Sequence, residues 1–206
     1  MQLDQVHISA LRRAEELIFH FDFCPYLALK ALLHDNRPEA RQRFRSLFMR
    51  FYGLNIGGLT EEFMARYFEI LHGGNVLIDG RPDFEGILNE LGDIKGKRGY
   101  PIMPFSFVSK LAAMHVEDSP IYDRHVCAFF RAKVPGSNRP KSDRIKWFVD
   151  LTSTIATSYQ DWVVDPQVVA ILDQLKSRDA ELAKCHPIRL IDFLVWKVGS
   201  EKLLQG

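Results

Sequence analysis

The chain has 206 residues, 47% of them hydrophobic and 26% charged, an ordinary globular composition that excludes disordered, collagen-like and low-complexity classes. At about 150 residues per domain this length reads as one domain, able to bury about 70% of its unfolded surface with no metal or disulfide staple. Lys and Arg number 27 against 26 Asp and Glu, so a wholly basic nucleic-acid coat is excluded and only a local basic face is permitted.

Cys24, Cys127 and Cys185 lie far apart with no CxxC spacing, which fits a reduced, cytoplasmic compartment. The start Met1-Gln2-Leu3-Asp4-Gln5 lacks the basic-then-apolar run of a signal peptide. No apolar stretch approaches membrane-spanning length.

Apolar residues recur at helical spacing almost throughout. Leu11, Ala14, Leu17, Ile18 and Phe21 share a face over 9–21, with Ser9 as N-cap. Pro25 suits a helix start ahead of Tyr26–His34. A third helix is predicted from Pro38 to Tyr52, stopped by Gly53. Its stripe is Phe44, Leu47, Phe48 and Phe51, with Arg41, Arg43, Arg45 and Arg50 mostly off it. Thr60 caps the next segment, which carries Phe63, Met64, Tyr67, Phe68 and Leu71 and ends at Gly73-Gly74.

Val76–Ile78 reads as one short strand without a partner, and Pro82–Leu91 as a short helix. The loop Gly92–Pro101 holds three glycines, three cations and an aromatic, and is the most basic loop of the chain. Further helices are predicted near 105–115, 123–131, 142–158, 166–176 and 187–198, with a second basic loop at Val134–Lys141. About ten short helices and negligible strand make the fold class all-α.

The informative stretch is Pro104–Phe130, PFSFVSKLAAMHVEDSPIYDRHVCAFF. A helix bearing Lys110-Leu111-Ala112 leads through a turn to Pro120-Ile121-Tyr122-Asp123-Arg124-His125-Val126, where a new helix starts. This stretch resembles the helix-hairpin-helix superfamily of DNA glycosylases, most closely its oxoguanine-glycosylase-like branch. Tyr52–Thr60 and Ile188–Trp196 echo the helical lobes of small members. Two departures stand out. Pro101–Ser106 holds no glycine where the family hairpin reads Gly-x-Gly, and Lys110 and Asp123 are only 13 positions apart.

The resemblance implies one glycosylase-like domain over 1–206, with two helical lobes around a cleft lined by the Lys110–Asp123 segment. It implies removal of a modified base from duplex DNA, flipped out of the stack. The enzyme would be monomeric and cofactor-free. Asp123 would be the catalytic carboxylate and Lys110 the lyase nucleophile.

The chemistry stands apart from the name. Breaking an N-glycosidic bond develops positive charge on the sugar, which a nearby carboxylate stabilises. An Asp opening a helix is held by capping bonds that also favour its ionised form. A lysine amine can attack the anomeric carbon once its pKa falls from about 10.4 to about 7–8.

Lys95, Lys97, Arg98, Arg124, His125, Arg139 and Lys141 are the phosphate-binding candidates. Tyr100, Phe105 and Trp147 are the rings available for base stacking. Cys127 reads as core. The seven histidines show no metal-ligand spacing, and dinucleotide, P-loop and serine-hydrolase motifs are missing. The alternative is a catalytically silent helical module that binds DNA or a protein, with Asp123 only a cap.

Overall fold

Helical spacing carries through to the structure, a computed structural model that describes residues 1–54, 58–73 and 76–204, apart from the side chains of His20 and Phe21. Asn55–Gly57 of the Tyr52–Thr60 stretch, Gly74 of the predicted Gly73-Gly74 stop, and the Phe21 side chain therefore lie outside the described residues. Among the described residues the secondary structure is helical apart from one two-stranded hairpin and an isolated bridge between Lys95 and Pro101.

In chain order come α1 (Gln5–Glu16), α2 (His20–Leu32), α3 (Pro38–Phe51), α4 (Glu61–Gly73), β1 (Leu77–Ile78), β2 (Arg81–Pro82), α5 (Phe84–Gly92) and α6 (Phe105–His115). There follow α7 (Arg124–Phe129), α8 (Lys141–Trp162), α9 (Pro166–Ser177), α10 (Ala180–Ala183) and α11 (Pro187–Ser200). Among the described residues no helix is long and apolar enough to cross a membrane.

Local chemistry explains most boundaries. Thr60 Oγ1 accepts from the Phe63 amide at 3.2 Å and opens α4. Asp165 caps α9, with Pro166 at its first position, where a missing N–H costs nothing. Tyr52 closes α3, and Gly53 follows it at φ +64, in the left-handed region that glycine takes without strain.

Four expectations are corrected. Ser9 lies inside α1, because Asp4 caps that helix earlier by accepting from the His7 amide at 2.9 Å. Pro25 sits inside α2 rather than opening a helix. The Val76–Ile78 strand does have a partner: Leu77 pairs with Pro82 and Ile78 with Arg81. The turn between them is Asp79-Gly80, both at positive φ, which is what a tight two-residue hairpin requires. The Pro82–Leu91 helix starts at Phe84, capped by Asp83. The short α10 was not among the expected helices.

The chain divides into two compact units, Met1–His20 with Glu117–Gly206, and Phe21–Val116. The division falls between Lys110 and Asp123. In the first unit α11 packs against α7, α1, α8 and α9. Its face there carries Ile188, Leu190, Ile191, Leu194, Val195 and Val198, all buried. Trp162 donates to the Met1 carbonyl at 2.9 Å and stacks on Phe130, ring centroids 5.6 Å apart. In the second unit α5 packs on α4 and α6. Its core is aromatic, with Phe44, Phe48, Phe63 and Tyr67 fully buried and the Tyr67 hydroxyl donating to the Phe107 carbonyl at 2.9 Å.

Candidate functional site

Asp123 stands in extended conformation immediately before α7, and its Oδ1 accepts from the amides of His125 (2.8 Å) and Val126 (2.9 Å). Two of the amides a helix leaves unsatisfied are thereby answered by one oxygen. The second carboxylate oxygen takes no part in the cap. The residue is half-buried.

The turn that delivers Asp123 is pinned from α11. Arg189 and Asp192 are each 3% exposed and form an ion pair of 2.8 Å one turn apart. Arg189 Nη2 also donates to the carbonyls of Ser119 (2.8 Å) and Glu117 (3.2 Å). Asp192 accepts from the Ile121 amide at 3.2 and 3.3 Å and from the Tyr159 hydroxyl at 3.1 Å. One buried pair therefore fixes the backbone at 117, 119 and 121, just before the candidate carboxylate.

Burial pushes the Asp192 carboxyl up to about 6, against the opposing pull of Arg189, the Ile121 amide and Tyr159. The negative charge of Asp123 raises it further. Burial also drives the Tyr159 hydroxyl well above its ordinary value, with Asp192 and Asp123 adding to the rise. Asp123 and this network thus share one electrostatic neighbourhood.

A second device sets the start of α7. A Cβ on Gly199, near the end of α11, would lie 2.3 Å from the His125 carbonyl oxygen. Only glycine permits that approach, and it seats the first turn of α7 directly on α11.

Around the cap, Tyr122 is buried with its ring edge-on to Phe148 (5.4 Å) and Trp147 (6.0 Å). Trp147 is half-buried. Cys127 is buried, as its position in the pattern suggests, and burial raises its thiol pKa. His125 is half-buried, 5.8 Å from the Trp196 ring and within 3.2 Å of the exposed Arg124. Asp123, Arg124 and His125 are therefore brought together. Arg139 is exposed, and Lys141 is the half-buried first residue of α8.

Lys110 belongs to the second unit. It is 9% exposed on α6, and its Nζ donates to Ser106 Oγ at 2.9 Å and to the Tyr52 carbonyl at 3.5 Å. The rings of Tyr52 and Phe107 lie 5.5 and 5.9 Å from the ammonium, inside cation–π range.

Lys95, Lys97 and Arg98 are exposed on a tight turn, closed by the Gly96 amide on the Tyr100 carbonyl at 2.9 Å. Tyr100 is 73% exposed, so its ring is open to a stacking partner. Phe105 corrects its sequence assignment. It is 4% exposed and belongs to the core, because it is the first residue of a helix whose apolar side faces inward.

Sequence reasoning did not find Arg189, Asp192, Tyr159 or Gly199. The available signal was the pair Arg189/Asp192, two charges three positions apart inside the otherwise apolar run from Ile188 to Trp196. No protein-family model, curated protein or solved structure matches this chain.

Proposed function

We propose that this protein is a DNA N-glycosylase in which Asp123 stabilises the cationic sugar formed as a modified base departs. The base leaves with the electrons of the N-glycosidic bond, and water adds to the anomeric carbon. A carboxylate beside that carbon lowers the barrier. The observation that carries the reading is the construction around Asp123. One oxygen is fixed by two amides, the preceding turn is held by a buried ion pair, and the following turn is seated on a glycine. Such fixing keeps a charge oriented before the reaction rather than during it.

Arg124 and His125 beside the carboxylate, with Lys95, Lys97 and Arg98 on their turn, are the proposed phosphate contacts, and exposed Tyr100 the proposed stacking ring. Lys110 is the proposed lyase amine. As the neutral amine it would attack the anomeric carbon and displace the base with its bonding electrons. Loss of the amine proton and opening of the C1′–O4′ bond, with O4′ taking a proton, would leave an imine linking protein and sugar. From that imine, loss of a C2′ proton expels the 3′ phosphate by β-elimination.

The test is base release from duplexes carrying an oxidised purine, an alkylated purine or an abasic site. Asp123→Asn keeps a cap acceptor and is expected to lower release by about 10²–10³-fold. With borohydride on abasic duplex, a covalent adduct that disappears in Lys110→Ala identifies the lyase. Absence of release from every duplex, with DNA binding intact, would replace the proposal by the silent binding module.

A further inference from the structure

A groove of about 590 Å³ runs between α3 and α4, within the second unit and apart from the residues of the candidate site. Arg41, Gln42 and Arg45 line it from α3, and Phe68, Glu69 and His72 from α4. Arg41 and Arg45 are one helical turn apart and so project on one side of α3.

The charges in this groove do not cancel. Among the lining residues Arg41 and Arg45 face one carboxylate, the exposed Glu69, which shares the Arg66 guanidinium with Glu90. Arg45 has Glu61 at 3.5 Å, with the Glu61 side chain 97% exposed, an ion pair that solvent screens almost fully. Arg41 donates to the neutral amide oxygen of Asn36 at 2.9 Å. Among the described residues, two guanidinium groups therefore face the groove with no buried carboxylate opposite them.

Arg45 is also held in place. The Arg45 guanidinium lies 5.2 Å over the Phe68 ring, and His72 stacks on Phe68 at 6.3 Å while meeting Phe44 edge-on at 5.1 Å. Guanidinium groups positioned in this way present N–H forks that match phosphate oxygens. The volume falls within the roughly 300–1,000 Å³ of small-ligand sites, too large for an ion alone and sufficient for a sugar or base attached to it.

We propose that this groove binds a nucleotide unit through its phosphate, with Arg41 and Arg45 as the phosphate forks and Phe68 and His72 as the apolar floor. The phosphate can come from a nucleic-acid strand or from a free nucleotide, and the two are separated by competition. The proposal does not rest on the glycosylase reading, because it is tested on undamaged DNA and with no base release.

The experiment measures fluorescence anisotropy of a short fluorescein-labelled single strand with the full chain across a range of salt. Unlabelled dAMP and inorganic phosphate serve as competitors. Arg41→Gln/Arg45→Gln is expected to weaken binding at least about tenfold and to flatten the slope of log affinity against log salt by about 1–2. Arg41→Gln alone, an exposed change that leaves the core intact, is expected to give part of both effects. Arg43→Gln/Arg50→Gln removes the same charge from exposed positions of the same helix outside the groove, and is expected to change little. Displacement by dAMP marks the free nucleotide as occupant, and strand binding that dAMP does not displace marks the backbone. The proposal is overturned if the wild type binds neither strand nor dAMP, if the groove variants bind as it does, or if Arg43→Gln/Arg50→Gln loses as much as the groove pair.

Discussion

Replacing Arg189 by Met removes the charge that holds the turn before Asp123, and its cost can be worked from the contacts. At least three donations are lost, to Asp192, Ser119 and Glu117. Two backbone carbonyls and one buried carboxylate are left behind. Removing one partner of a buried pair costs about 3–5 kcal/mol. Asp192 limits the damage by taking up a proton, since burial already raises its pKa to about 6 with Arg189 present. The expected loss is therefore about 3 kcal/mol at neutral pH, toward the lower end of that range. For a chain of this size that corresponds to a fall in Tm of about 6–12 °C.

Urea unfolding gives the energy, and hydrogen exchange at the Ile121 and His125 amides gives the location. Both amides are expected to lose protection in Arg189→Met beyond the global loss. Arg189→Met/Asp192→Leu, which leaves no buried charge, is expected to regain most of the stability. A loss under about 1 kcal/mol, too small for a broken buried pair, would refute the claim that this pair holds the turn. Unchanged protection at Ile121 would refute it as well.

The same network predicts a pH dependence. The Asp192 carboxyl keeps its proton in the folded state up to about 6 but gives it up near 3.8 when unfolded. Its contribution is thus fully present below pH 3.8 and is lost as pH rises through 6, about 3 kcal/mol in all. Urea titrations at a series of pH values should show this loss in the wild type and not in Asp192→Leu. Gly199→Ala places a methyl 2.3 Å from the His125 carbonyl oxygen. It should destabilise by about 1–3 kcal/mol in thermal melts and slow base release. Asp123→Ala removes the α7 cap and should cost about 1 kcal/mol in urea unfolding, whereas Asp123→Asn should cost only a few tenths, since both residues cap well.

What the sequence made legible was the part of the structure governed by neighbours. Thr60, Asp123 and the prolines at 166 and 187 mark helix starts because capping joins residues two or three positions apart. The Asp79-Gly80 turn was equally local, but the strands beside it are two residues each, too short to show alternation. Pro25 misled because packing of the helix on either side outweighs one missing backbone bond. Ser9 misled for a simpler reason: Asp4 is also a capping residue and comes first.

The machinery around the candidate carboxylate was not legible, because it is long-range. Ile121 and Asp192 are 71 positions apart, and Glu117 and Arg189 are 72 apart. No pattern along the chain encodes that distance. A charge inside an apolar helix does signal a buried partner, but not which backbone groups it will hold.

The sequence allows Asp123 to cap a helix and to act as a catalytic carboxylate at once, and the capping geometry is compatible with both roles. The two amides fall on Oδ1 alone, so the cap uses one of the two carboxylate oxygens. An asparagine keeps a carbonyl oxygen for the amides and loses only the negative charge. The two roles therefore separate within a single substitution. If release survives in Asp123→Asn with stability unchanged, the charge does no chemistry and the residue is a cap. If release fails while the fold holds, the electrostatic role is established independently of the structural one.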